Sequence, residues 1–146
     1  MSRKVAQSGA QPASASSAQG PLVLIVDDVQ DNRTIYVLSL KFSGYRVAEA
    51  ENGEEALRQA EQLLPDIIVM DLSLPVMDGW EATRRLRGNP RTKSIPVIVL
   101  TGHALPEHAE AARQAGCDLV ITKPCLPEQL EDAIQRILGT SGPTGR

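Results

Sequence analysis

The sequence predicts an α/β fold, a doubly wound five-stranded parallel sheet with five helices, on three observations. Short apolar runs recur along the chain with almost no polar interruption. Segments with helical spacing of apolar residues fill the gaps, so that strand and helix alternate five times. At 146 residues the chain holds one hydrophobic core and has no room for a second. Unbroken apolar runs suit strands covered on both faces, and strict alternation with helices suits parallel strands joined by right-handed crossovers.

Taken in order, residues 1–20 hold five Ala, five Ser, three Gln, two Gly and one Pro, too little apolar bulk to offset the entropy of ordering, and are expected to be a disordered tail. The run Leu22–Val26 is the first strand, a helix follows over about 30–43, and a weaker run at 45–50 is the second strand. Asn52 with Glu55 three residues later is a helix-start signal, and Ala56, Leu57, Ala60, Leu63 and Leu64 follow before Pro65 stops the helix. Residues 67–70 form the third strand, a helix covers about 79–88, and residues 97–100 form the fourth strand. A helix over about 106–115 leads to a strand at 119–121. Leu130, Ala133, Ile134, Ile137 and Leu138 then mark one stripe of a last helix, with Gly139 placed to end it. Residues 140–146 are expected to fray, which leaves 21–139 as the folded domain.

Composition excludes several classes. Apolar residues make up 42% and charged residues 23%, ordinary usage for a water-soluble domain, and no apolar run approaches the roughly 20 residues that span a bilayer. The tails carry three of the 15 basic and none of the 18 acidic residues, so 21–139 has a net charge of -6 and no general attraction for nucleic acid or anionic membrane. Arg84, Arg85, Arg87, Arg91 and Lys93 form the one basic cluster; without interleaved aromatics it reads as a solvated helix face. Cys117 and Cys125 fit neither a zinc site nor a redox pair and read as free packing thiols, while His103 and His108 lack metal-ligand companions. Trp80 is either a partner contact or a packing residue at a helix start. Arg3 and Lys4 are not followed by an apolar segment, so no secretory signal is read and a cytoplasmic location is expected.

Ligands of such sheets bind beyond the carboxyl ends of the strands, so the residues after each apolar run carry the chemistry. Asp27 and Asp28 follow the first run, Asp71 the third, Thr101 the fourth and Lys123 the fifth. Three carboxylates at one edge repel one another and call for a cation, and Mg²⁺ suits a site of few carboxylates and several waters. Lys123 and the Thr101 hydroxyl supply donors for phosphoryl oxygens. The set fits phosphoryl transfer to a carboxylate, with Asp71 as nucleophile, because a carboxylate is ionised at neutral pH without a base and aspartyl phosphates are stable enough to be intermediates.

Over essentially all of 21–139 the chain resembles the receiver domain of bacterial response regulators. The likeness rests on the Asp27-Asp28 pair, the segment Met70-Asp71-Leu72-Ser73-Leu74-Pro75-Val76-Met77-Asp78-Gly79, Thr101-Gly102 and Lys123-Pro124, in that order and spacing. It implies flavodoxin-like topology and a phosphorylation switch of a two-component or phosphorelay system. Asp71 would take a phosphoryl group from the phosphohistidine of a sensor histidine kinase or a histidine phosphotransfer protein. Asp28, Asp71 and the Ser73 carbonyl would bind Mg²⁺ directly and Asp27 through water, while Thr101 and Lys123 grip the phosphoryl group. It also implies a cis peptide before Pro124, self-assisted phosphorylation rather than enzymatic turnover, and a downstream protein target. Ser73 and His103 fall where the family tunes the lifetime of the phosphoryl group. One residue departs: three before the lysine, where the family usually carries an aromatic, stands Val120, so the response is expected to run through the loop after Thr101 or to be muted.

Other classes compete with that reading. Only seven residues are read after Gly139, so the expectation is a stand-alone receiver acting by protein contact or as a phosphorelay intermediate rather than a DNA-binding regulator. A Mg²⁺-dependent phosphohydrolase would want a second acid two residues after its nucleophile, and here Ser73 follows Asp71 and Val29 follows Asp27. A flavin module would meet repulsion between the cofactor phosphate and the Asp27-Asp28-Val29-Gln30-Asp31 loop. A receiver-like scaffold that is never phosphorylated leaves the five filled site positions without a purpose.

Overall fold

The computed structural model describes residues 20–102 and 106–139. The expected tails at 1–20 and 140–146, apart from Gly20, and the lifetime-tuning position His103 lie outside the described residues.

Strands β1 (Leu22–Val26), β2 (Arg46–Ala50), β3 (Ile67–Asp71), β4 (Val97–Thr101) and β5 (Leu119–Thr122) alternate with helices α1 (Gln30–Phe42), α2 (Gly53–Leu63), α3 (Gly79–Arg87), α4 (Pro106–Ala115) and α5 (Pro127–Leu138). The strands form one parallel sheet in the order β2-β1-β3-β4-β5. The three central strands are buried almost without a break, which explains their unbroken apolar runs; β2 and β5 at the edges are half-buried and their patterns weaker.

Alternation of side chains splits the core into two layers. Val23, Ile25, Ile67, Val69, Ile98 and Leu100 face α1 and α5, where Val37, Leu40, Leu130 and Ile134 meet them. Leu24, Val26, Ile68, Met70, Val97 and Val99 face the other way, onto Ala56 and Ala60 of α2, Trp80 and Leu86 of α3 and Ala112 of α4. Each large side chain so buried contributes about 1.5–3 kcal/mol.

Local chemistry sets the element ends. The Asn52 side chain accepts from the Glu55 N–H at 2.8 Å, and the Glu55 carboxylate accepts from the Glu51 N–H at 2.8 Å, so the start of α2 is capped from both directions. Leu64 closes α2 in the left-handed region with φ 48, directly before Pro65. Leu63 and Leu64, the last apolar residues before Pro65, are about half exposed, because the helix ends there and the chain turns away. β3, β4 and β5 each run one residue further than their apolar runs: Asp71 stays in register with Leu100 and Thr101 with Thr122. A polar side chain at a strand's last position does not stop its backbone from pairing.

Candidate functional site at the carboxyl edge of the sheet

Strand order reverses between β1 and β3, and the crevice at their carboxyl ends holds the acidic side chains. Asp27 continues the ladder beyond β1, its N–H donating to the Ala50 carbonyl at 3.1 Å. Its own carboxylate turns back and accepts from the Val29 N–H at 2.9 Å and from the Asn32 amide at 3.4 Å. Asp28 is exposed, Asp27 and Asp71 are buried, and each of the three offers a carboxylate oxygen within 4.8 Å of the others. From the far side Lys123 brings its Nζ to 2.8 Å from Asp71 Oδ1. The Lys123 N–H donates to the Thr101 carbonyl at 2.7 Å, which joins the end of β5 to the end of β4, and Thr101 itself is buried. The Lys123-Pro124 peptide is cis, as the resemblance implied.

Ser73 lies two residues beyond Asp71, exposed, on a loop folded tightly against the strand. The Gly79 N–H donates to the Leu72 carbonyl at 2.9 Å, and a Cβ on Gly79 would stand 3.0 Å from the Asp71 carbonyl oxygen and 3.1 Å from the Leu72 Cα. A larger residue there would push α3 away from the Asp71 and Leu72 backbone by a few tenths of an ångström. The Thr83 hydroxyl, fully buried, then donates to the Gly79 carbonyl at 2.7 Å, and Asp78 caps α3 by accepting from the Glu81 N–H at 2.9 Å. At the tip Val76 takes φ 71 with 95% of its surface exposed, an unfavourable backbone for a β-branched residue.

Burial pushes the Asp71 carboxyl pKa up; Lys123 pulls it back down, and Asp27 and Asp28 raise it again. Three carboxylates thus crowd together while one ammonium pairs with Asp71. Among the described residues this is the one cluster able to hold a metal ion, and its donors are all carboxylate oxygens, with no imidazole or thiolate. Excess negative charge and hard oxygen donors fit Mg²⁺. A groove of about 260 Å³ opens beside the cluster, lined by Asp27, Asn32, Tyr36, Lys123 and Pro124 among others. The Tyr36 hydroxyl donates to the Cys125 carbonyl at 2.7 Å, and burial first, then Cys125, Asp27 and Asp71, pushes its pKa up to about 12.

Two participants are not foreseen in the sequence. Asn32 touches the Asp27 carboxylate, and Arg33, buried on the core side of α1, donates through Nη1 to the Asp27 carbonyl at 2.7 Å. An arginine on an otherwise apolar helix stripe with Val37 and Leu40 is the signal that marks it.

The remaining candidates resolve into structural roles. The basic cluster is a solvated face, as expected: Arg84, Arg85, Arg91 and Lys93 are exposed, with Arg84 and Arg85 paired to Glu81 on the same helix and Arg91 bonding the Glu61 carbonyl, while Arg87 alone is half-buried and bonds the Gly116 and Ile95 carbonyls and Asp118. Trp80 is buried at the start of α3, and its ring meets that of His108 on α4 edge-on at 5.9 Å. Cys117 and Cys125 are free thiols whose pKa values burial raises. Val120 is half-buried in β5 and packs on the layer that holds Met70 and Trp80. No helix among the described residues is long and apolar enough to cross a membrane.

A parallel sheet in this order, with acids and a lysine gathered where the order reverses, defines a doubly wound protein of flavodoxin-like class with a phosphoryl or metal chemistry at its switch point. Within that class the sequence matches the response regulator receiver domain over residues 23–135. It is 36% identical over 117 residues to the polar-differentiation response regulator DivK of Brucella anthropi, covering 80% of this chain and 95% of that one. Among solved structures it is similar to the chemotaxis protein CheY4 of Vibrio cholerae, with a TM-score of 0.78 and 34% identity over 82% of this chain and 99% of that one. It is also similar to the receiver domain of a sensor histidine kinase from Pseudomonas aeruginosa, solved with a magnesium ion coordinated in its active site cleft, with a TM-score of 0.74 and 38% identity over 80% of this chain and 96% of that one. The chain belongs to the response regulator receiver family. Its function is phosphorylation-dependent signalling in a two-component system.

Proposed function

We propose that Asp71 is the phosphoacceptor and that the phosphoryl group comes from the phosphohistidine of a sensor histidine kinase or a histidine phosphotransfer protein. An Asp71 carboxylate oxygen attacks phosphorus, the new O–P bond forms as the P–N bond breaks, and the imidazole nitrogen leaves with the electron pair. The observation that carries the reading is the Lys123 ammonium 2.8 Å from Asp71 Oδ1, inside a crowd of three carboxylates. It favours the ionised, nucleophilic form of Asp71 against the effects of burial and of its acidic neighbours.

Asp28, Asp71 and the Ser73 carbonyl are the direct Mg²⁺ ligands in this reading, with Asp27 acting through water. The ion supplies neutralisation of charge on the transferring phosphoryl oxygens. Once the phosphoryl group is on Asp71, Lys123 turns from the carboxylate to a phosphoryl oxygen and the Thr101 hydroxyl donates to another. Buried at the end of β4, Thr101 carries that movement into the segment that follows it, and Val120 offers no aromatic ring to report it. The protein assists only its own phosphorylation and dephosphorylation, and it works in the cytoplasm through a downstream protein target. Direct DNA binding is not part of this reading, since residues 21–139 carry a net charge of -6 and the basic cluster has no interleaved aromatics.

The test is intact mass spectrometry after incubation with Mg²⁺ and a small acyl-phosphate donor, beside Asp71→Asn and a Mg²⁺-free control. A gain of one phosphoryl group, lost in both controls, is expected. If the acyl phosphate gives no gain, the same assay with a phosphohistidine protein as donor decides, and no gain there rejects the reading.

A further inference from the structure

Arg33 is charged, only 9% exposed, and sits on the core side of α1 in line with Val37 and Leu40. Its Nε pairs with Glu49 of β2 at 2.9 Å and its Nη1 donates to the Asp27 carbonyl at 2.7 Å. Burying a guanidinium is expensive, and a well-packed apolar side chain at such a position is often at least as stabilising as the ion pair. Stability alone therefore does not account for Arg33. What it does hold is one peptide group. Ala50 of β2 accepts from the Asp27 N–H at 3.1 Å, while Arg33, anchored by Glu49, donates to the Asp27 carbonyl. The carbonyl of Asp27 belongs to the peptide that leads into Asp28, so both sides of the Asp27 backbone are tied to β2. Among the described residues no hydrogen bond holds the carboxylate of Asp28, which leaves its orientation to that backbone.

We propose that Arg33 is a positioning residue for the metal site: by clamping the Asp27-Asp28 peptide it aims the Asp28 carboxylate at the ion shared with Asp71. This rests on the reading of the acidic cluster as a Mg²⁺ site. Charge and orientation act with opposite sign here, which makes the inference testable. As a nearby cation, Arg33 disfavours Mg²⁺, so removing its charge alone tightens binding. As an orienting clamp, its loss loosens binding, and outer groups that orient metal ligands typically change affinity by about 10-fold to 100-fold.

The experiment titrates Mg²⁺ into the full-length protein by calorimetry for the parent, Arg33→Met, Arg33→Lys, Glu49→Gln and Asp28→Asn, with thermal melts to confirm folding. The same set is phosphorylated by an acyl phosphate at limiting and at saturating Mg²⁺. For Arg33→Met the expected result is a cooperative melt, Mg²⁺ affinity reduced about tenfold, and a phosphorylation rate that falls at limiting Mg²⁺ but recovers at saturation. Arg33→Lys, which keeps the charge but not the fork that serves both partners, loses affinity as well. A folded Arg33→Met protein whose Mg²⁺ affinity is unchanged or tighter overturns the inference, as does a rate loss that saturating Mg²⁺ fails to restore. If Arg33→Met does not fold, Arg33→Lys decides: it keeps the charge, so a loss of about tenfold in Mg²⁺ affinity reports the lost fork, and unchanged affinity overturns the proposal. A parent that binds no Mg²⁺, or binds it as well after Asp28→Asn, rejects the underlying site reading and this inference with it.

Discussion

Aspartates stand at both ends of the sheet, and they do different things there. At the amino edge Asp66 precedes β3 and Asp118 precedes β5, and the two make the same contact. Each accepts through its carboxylate from the first N–H of the neighbouring strand, Leu22 at 2.7 Å and Val97 at 2.8 Å, and each returns its own N–H to that residue's carbonyl at 2.8 Å. Asp118 also pairs with Arg87 at 2.9 Å. These carboxylates close a ladder and find their donors within the chain. At the carboxyl edge Asp27, Asp28 and Asp71 crowd together against one ammonium, and Asp71 is held against its ordinary ionisation by burial. An acid at a strand end thus plugs the ladder where the first N–H of a neighbouring strand meets it, and acids collect as a cluster where they outnumber the cations.

Removing a plug and removing a site residue are expected to separate stability from chemistry. Asp118→Ala leaves the Val97 N–H without its acceptor and removes one of the three partners of the Arg87 guanidinium, and is expected to cost about 1–3 kcal/mol in urea unfolding. Mg²⁺ affinity, read by calorimetry, should stay within about twofold of the parent for a change so distant; a larger loss would break the division between the edges. Asp28→Asn is the mirror case: Mg²⁺ affinity falls about tenfold, or about 1.4 kcal/mol, while unfolding stability holds or rises as repulsion in the cluster falls. Val76→Asn places a residue tolerant of the left-handed region at φ 71, and a gain of about 0.5–1 kcal/mol in the same unfolding assay is expected.

The smallest effect concerns Asp71 itself and depends on pH. Its folded pKa lies above the unfolded value of 3.8, so the folded state holds the proton more tightly and the ionised carboxylate opposes folding. That penalty is absent below the unfolded value and complete above the folded one. Asp71→Asn in chelator should therefore raise the melting temperature at neutral pH, with the gain vanishing as pH falls through that window. A gain that grows toward acid would contradict the sign.

Much of this division was legible in the sequence, for physical reasons that differ by element. Strands β1, β3 and β4 are covered on both faces, so their apolar runs are unbroken and their carboxyl ends could be aligned; that gathers Asp27, Asp28, Asp71 and Thr101, and the weaker run of β5 adds Lys123. The runs end one residue early because a strand can finish on a polar side chain while its backbone still pairs, as at Asp71 and Thr101. Arg33 escaped because helix periodicity is read from apolar residues, and a buried arginine looks like the polar face until its partners are in view. The same holds for the half-buried Arg87, whose partners include the Gly116 and Ile95 backbone carbonyls that no residue pattern announces. Asp66 and Asp118 resemble ordinary loop acids for the same reason: what distinguishes them is a backbone N–H some 44 or 21 residues away.

The central claim is that covalent chemistry is confined to one carboxylate of the carboxyl edge. The most direct measurement reduces the phosphorylated protein with borohydride, which converts an aspartyl phosphate to homoserine, and locates the converted residue by peptide mass spectrometry. Homoserine at position 71 and nowhere else is the predicted result. Conversion at Asp27 or Asp28, at either amino-edge aspartate, or a phosphoryl group retained on a serine, threonine or histidine would contradict it.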